Sequence, residues 1–204
     1  MTFRLEEVDS GPHILEEEVL KAISRLKNNK AAGPDEVHGE LLKVLEGNSI
    51  TILTRLFNLI YSTGEFPKEW LRSTFVTLPK KSNAKKCSDY RTISLMSQAL
   101  KTFLYIIHER IYKEIERNLS ESQFGFRCGL GTRDALFGLQ VLLQRCRDLN
   151  SDVYICFIDL EKAFDKVKHQ ILLEILKKTG INGMDLRIIN NLYFNQTAHI
   201  KIEN

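Results

Sequence analysis

The sequence predicts an α+β fold dominated by helix. Two patterns carry this. Long stretches repeat apolar residues at helical spacing, whereas β-branched and aromatic runs are short and end at turn residues. The composition agrees: 43% apolar and 27% charged residues in 204 describe a folded chain and exclude a disordered tract. That length suits one core, or a main domain with an appendage.

The first third reads as helix. After Gly11-Pro12, residues Leu15, Val19, Leu20, Ile23 and Leu26 form one stripe. It is expected to stop at Gly33-Pro34, glycine supplying a left-handed cap and proline blocking continuation. Asp35 is placed to cap a second helix carrying Leu41, Leu42 and Leu45. A third runs from about Ile50 to Tyr61 and ends at Gly64.

The middle mixes both classes. Thr74-Phe75-Val76-Thr77-Leu78 reads as a strand stopped by Pro79, followed by a basic loop with Lys80, Lys81, Lys85 and Lys86. Residues 98 to 118 are strongly amphipathic, with Leu100, Phe103, Leu104, Ile107, Ile111 and Ile115 on one face. Ser120 to Gln123 offers a capping box, Gly125 to Gly131 a loop, and Thr132 the cap of a helix bearing Leu136, Leu139, Leu142 and Leu143.

In the last third, Val153 to Ile158 reads as a buried strand ending at Asp159. Helices around His169 to Thr179 and Met184 to Tyr193 follow, then an alternating stretch from His199 to Ile202 that suggests another strand. The expected core is Leu100, Phe103, Leu104, Ile107, Leu136, Leu139 and the Val153 strand.

Several function classes are disfavoured. No apolar run approaches the roughly 18 residues of a membrane span. The opening Met1 to Glu7 has no secretory apolar region, and Cys87, Cys128, Cys146 and Cys156 are scattered without a Cys-x-x-Cys pair. Reduced thiols inside a cell, in nucleus or cytoplasm, fit better than zinc or disulfides. A net charge of +3 does not establish a nucleic-acid partner, but its distribution is uneven. Residues 72 to 91 hold Arg72, Lys80, Lys81, Lys85, Lys86 and Arg91 against the single acid Asp89, an excess that favours phosphate. Mere solvation of a loop explains it equally well.

The candidate chemistry centres on Phe157-Ile158-Asp159-Leu160-Glu161-Lys162-Ala163-Phe164-Asp165. A rigid strand that delivers a carboxylate to its end can hold a hard metal ion at a cleft. Taken alone, Asp159 also fits a turn residue or helix cap, and Phe164 fits plain core. Asp165 reads as structural, and Glu16-Glu17-Glu18 as a solvated helix face.

The segment resembles motif A of reverse transcriptases, and further blocks resemble those of non-LTR (LINE-type) retrotransposon enzymes in the family's order. They are Lys30-Ala31-Ala32-Gly33-Pro34-Asp35 with Glu40 to Lys43, Trp70 with Leu78-Pro79-Lys80-Lys81, Asp89-Tyr90-Arg91-Thr92-Ile93-Ser94-Leu95, and Gln123-Phe124-Gly125-Phe126-Arg127 with Gly131 to Ala135. Gly180-Ile181 and Leu192-Tyr193 fit the helix after motif A. The similarity covers roughly residues 15 to 204.

The resemblance implies a right-hand polymerase: fingers plus a partial palm. Residues 1–65 would be a helical N-terminal extension of the fingers, 66–150 the fingers, and 151–204 the start of the palm, truncated. It implies RNA-directed DNA polymerase activity on an RNA template and DNA primer with deoxynucleoside triphosphates; no membrane is expected, given the apolar runs above. Asp159, with the Leu160 main-chain carbonyl, would bind catalytic Mg²⁺. Phe164 would lie under the incoming sugar and exclude a 2′-hydroxyl. Arg91 and Lys80 or Lys81 would contact the triphosphate, and Gln123 and Arg127 would shape the template and nucleotide pocket.

Two residues depart from the family pattern. Thr92 replaces a proline that would fix the backbone beside Arg91, and Asp89 replaces an asparagine, adding negative charge near a phosphate contact. The sequence also has no adjacent aspartate pair, which the family uses to complete its metal site. The chain alone is therefore expected to be inactive, and a non-catalytic remnant that holds RNA or an RNA–DNA hybrid is the alternative.

Overall fold

The strongest apolar stripes of the sequence become the helices that build the core. A computed structural model describes residues 11–201. Among these, the helices are α1 (Glu16–Ser24), α2 (Gly39–Lys43), α3 (Asn48–Thr63), α4 (Gln98–Glu116), α5 (Thr132–Asp148), α6 (His169–Lys178) and α7 (Gly183–Asn195). The strands are β1 (Arg72–Pro79), β2 (Tyr90–Leu95) and β3 (Thr197–Lys201), so the fold is α+β and helix-rich, as expected. Ile202 and the opening Met1 to Glu7 lie outside the described residues.

The core forms where α1, α3 and α4 meet. Val19 and Ile23 of α1, Phe57 and Ile60 of α3, and Leu100, Phe103 and Ile107 of α4 are all buried. Phe57 meets Phe103 edge-on at 5.4 Å between ring centroids and Trp70 at 6.2 Å. Aromatic residues dominate such a core through their area and their preference for tilted pairs. A smaller cluster of Leu176, Ile181 and Leu186 packs α6 and α7 beside Ile111 and Ile115 of α4.

Local chemistry sets the ends of these helices. Gly64 takes the left-handed conformation (φ 74°) and returns its amide to the Ile60 carbonyl at 2.8 Å, closing α3. The Ser97 hydroxyl accepts from the Leu100 amide to start α4. Residues 11–14 are fastened by Arg110, whose guanidinium donates to the Pro12 and His13 carbonyls and to both oxygens of Glu18. Asn58 pairs with both the amide and the carbonyl of Ile14.

β1 lies at the centre of a three-stranded sheet, antiparallel to β2 and parallel to β3. β2 is exposed along all but its last residue. It was missing from the sequence reading, although Tyr90, Thr92 and Ile93 are good strand formers.

Several expectations need correction. Val153 to Ile158 is not a strand: it has no regular structure, and every residue in it is exposed, Phe157 to 84%. Among the described residues, the sheet of β2, β1 and β3 does not take these residues in, and their amides and carbonyls make no backbone hydrogen bond. Leu136 is 59% exposed and not core, because among the described residues α5 has no apolar neighbour that buries it. Leu100, Phe103 and Ile107 are core as expected, with Leu104 packed against them.

The first helix ends at Ser24, well before Gly33, and its stripe is only partly buried: Leu15 and Leu20 face solvent. Gly33 is needed for close approach. A Cβ there would sit 2.4 Å from the Ser97 backbone nitrogen and 2.5 Å from the Met96 carbonyl carbon. Asp35 caps no helix; it accepts from the Val37 amide in a local turn. Ser120 to Gln123 is a turn and not a capping box, with the Gln123 amide on the Ser120 carbonyl.

Candidate functional site

The β1–β2 hairpin presents the basic cluster. Pairing of Pro79 with Tyr90 and Leu78 with Arg91 leaves residues 80–89 as the connecting loop. The Lys80 amide donates to the Asp89 carbonyl at 2.8 Å, and the Lys80 ammonium to the Ser88 carbonyl at 2.9 Å. Asp89 organises the rest. Its carboxylate pairs with Lys81 at 2.9 Å and accepts from the amides of Lys85 and Lys86 at 3.1 Å each. The Lys81 ammonium, followed by those amides, holds the Asp89 acid below the usual range. The residue read as a liability from sequence is thus the keystone of the loop, and Lys81 has its charge committed to it.

Arg91, Lys85 and Lys86 are exposed and form no ion pair among the described residues. Residues paired across strands share a face, so Arg91 projects on the side of Leu78 and Val76, as does Lys201 of β3 opposite Val76. The hairpin therefore presents cations against few acids.

The second group lies around residues 119–131 and 159–166. Arg127 is directed inward. Its Nε and Nη2 donate to Glu116 Oε1 at 2.9 and 2.6 Å, and its Nη1 to the carbonyls of Ser120 and Gln123. The guanidinium lowers the Glu116 acid in return. Gln123 is exposed, with its side-chain amide on the Gly125 carbonyl at 3.1 Å. Asp159 and Leu160 are exposed on the irregular segment after residue 158. Phe164 opens a short 3₁₀ turn, Phe164–Lys166.

One contact joins these parts. The Phe164 ring meets the Phe126 ring edge-to-face, with centroids 6.0 Å apart and planes at 88°. The structure thus brings Phe164 to the loop that holds Gln123 and Arg127. No hydrogen bond or ion pair among the described residues joins Asp159 to Lys80, Lys81 or Arg91. Phe126 was missed in sequence, since nothing in a Gly-Phe-Arg triplet announces an outward ring.

The family described as reverse transcriptase (RNA-dependent DNA polymerase) matches residues 78–204, well over half of the sequence. The chain belongs to the reverse transcriptase family. It is 32% identical over 165 residues to a probable RNA-directed DNA polymerase from transposon BS of Drosophila melanogaster, covering 79% of this chain and 18% of that protein. It is 26% identical to the RNA-directed DNA polymerase from mobile element jockey of the same fly, over 92% of this chain and 21% of the relative. A Pol polyprotein from type-1 retrotransposable element R2 of Nasonia vitripennis is 28% identical over 84% of this chain and 16% of its own length. The expected resemblance to non-LTR retrotransposon enzymes is borne out. The reverse transcriptase chain spans about a fifth of the length of these curated relatives.

Reverse transcriptases as a family imply a divalent metal and a nucleic-acid template with nucleotide substrates. Among the described residues, no three histidine, cysteine or acidic side chains come together to hold such an ion. Asp159 is exposed and belongs to no such group, so the donor set among the described residues does not by itself fit a metal centre. Among the described residues, no helix is long and apolar enough to cross a membrane.

Proposed function

We propose that this chain forms the fingers and the opening of the palm of a right-hand RNA-directed DNA polymerase. Residues 66–150 are the fingers, 151–204 the start of the palm, and 1–65 a helical extension. The reaction served is RNA-templated DNA synthesis by two-metal nucleotidyl transfer, with Mg²⁺ as the ion. The observation that carries this reading is that the family match over residues 78–204 contains every candidate site residue. In it, Arg91 and Lys80 contact the triphosphate, with Lys81 contributing less because Asp89 engages it. Gln123 lines the template and nucleotide pocket, Arg127 shapes it by bracing the loop, and Phe164 lies beneath the sugar. Asp159 and the Leu160 carbonyl would supply only part of a metal donor set, which carboxylates from another element would have to complete. A two-metal site needs carboxylates from more than one element, so this chain alone does not extend a primer.

A second reading, a module that holds RNA or an RNA–DNA hybrid without chemistry, is favoured by the cationic hairpin. One set of assays addresses both. Primer extension on an RNA template by the 204-residue chain with Mg²⁺ should give no product, and extension that depends on Asp159 would show that the carboxylates of these residues suffice. Hybrid binding should weaken with salt, and replacing Lys80, Lys81 and Arg91 together by alanine should flatten the log–log salt slope by roughly two to three. An unchanged slope removes the hairpin from the interface.

A further inference from the structure

Phe126 occupies a place that ordinary packing does not explain. Its backbone is left-handed (φ 61°), a conformation unfavourable for a bulky side chain, and the residue is 88% exposed. Burial of the ring is therefore not what selects this geometry. The loop does so from below. Arg127 next in sequence anchors to Glu116 of α4 and to two loop carbonyls, and the Cys128 amide donates to the Tyr112 hydroxyl of α4 at 3.0 Å. With both following residues tied to α4, the chain at 126 turns outward and directs its ring to Phe164.

Phe164 is itself 77% exposed, and the Phe126 ring is its aromatic partner. A ring that screens a sugar must stay in contact with C2′, yet an exposed phenylalanine swings freely about two side-chain torsions. The perpendicular contact biases the two rings toward each other, and the anchored backbone at Arg127 and Cys128 limits where the Phe126 ring can sit. We propose that Phe126 is a positioning residue for Phe164, so that residue 126 governs the choice of deoxyribose over ribose. The proposal rests on the reading of Phe164 as the ring beneath the incoming sugar.

The test uses the full 204-residue chain with labelled phenylalanine. In NMR spectra, Phe126 and Phe164 ring protons should show a mutual nuclear Overhauser effect. The Phe164 signals should shift in Phe126→Ala and Phe126→Gly and stay near their places in Phe126→Tyr. Glycine suits the left-handed backbone, so it guards against a folding artefact. The same samples are titrated with dATP and with ATP in the presence of Mg²⁺. The parent should prefer dATP, Phe164→Ala should bring the ratio to about one, and Phe126→Ala and Phe126→Gly should each lower it roughly two- to tenfold, the factor to which an edge-to-face pair corresponds. Phe126→Tyr should restore it. Absence of the ring contact overturns the proposal whatever the nucleotides do. A preference lost in Phe164→Ala but intact in Phe126→Ala overturns it while sparing the role of Phe164. A chain without preference, or one whose preference ignores Phe164→Ala, removes the role of Phe164 and the proposal with it.

Discussion

The α1–α3–α4 body and the stretch from residue 120 to 172 contain equally clear apolar patterns, and only the first buries them. In the body, Phe57, Leu100 and Phe103 are fully enclosed. Between residues 120 and 172 no residue is buried, although α5 presents Leu136, Phe137, Val141 and Leu142, and residues 153–158 are almost wholly apolar. An apolar stripe records that a residue packs against something. Whether the partner is among the described residues is a separate fact, and here it separates the two regions. Stability should come almost entirely from the first, while the candidate site residues Asp159, Leu160 and Phe164 lie in the second.

The sharpest way to break this contrast is to truncate one side chain from each region. Phe103→Ala should destabilise the chain by about 3–5 kcal/mol, because the transfer term and a cavity between Phe57 and Phe66 add together. Leu136→Ala should change stability by no more than about 0.5 kcal/mol, as expected for an exposed site. Urea unfolding followed by circular dichroism measures both. Comparable losses would mean that α5 packs in solution and that the two regions are one core.

The next effect tests how the body is joined to the segment before it. Gly33→Ala should cost about 1–3 kcal/mol, since the added methyl meets backbone atoms that cannot rotate away. The same contact, with Gln98 donating to the Ala31 carbonyl at 2.9 Å, fixes residues 30–35 to the start of α4. A neutral substitution would show that this segment lifts off without loss.

These cases also show what the sequence made legible. Periodicity located α3, α4, α6, α7 and β1 because their spacing and end residues are local properties. It failed at residues 153–158, where strand formation depends on a partner elsewhere in the chain. It also misassigned Gly33, since a glycine kept for close approach looks the same as one kept for a left-handed cap. In the site, the basic hairpin and Phe164 were visible as residue types, but the engagement of Lys81 by Asp89 and the inward turn of Arg127 depend on three-dimensional neighbours. The Phe126–Phe164 contact spans 38 residues of chain and has no local signature.

The smallest effect sharpens the contrast from α7, which packs on the α1–α3–α4 body, at the one buried acid among the described residues. Asp185, in the first turn of α7, donates its amide to the Asn182 side chain at 2.9 Å and accepts the Asn182 side-chain amide at one oxygen. The other oxygen is buried with no well-formed hydrogen bond among the described residues, although the Tyr61 hydroxyl lies near enough to favour the ionised acid and so offsets part of the effect of burial. Burial pushes this acid above its usual range. Glu18 behaves oppositely: partial burial raises it, but the Arg110 guanidinium and the Leu15 amide more than offset that and lower it. An acid raised in the folded state contributes stability that is complete below its unfolded pKa and is lost as pH rises through the folded value. A lowered acid contributes stability above its unfolded pKa and loses it on acidification. Asp185→Asn abolishes the first dependence and leaves the second. The stability of the variant relative to the parent should therefore shift in the variant's favour as pH is raised from about 3 to about 8, across the range in which carboxylates titrate. Urea midpoints at several pH values give the comparison. A constant difference would mean that the Asp185 carboxylate ionises in the folded chain without penalty, and that its second oxygen finds water which the packing of α3 against α7 is held to exclude.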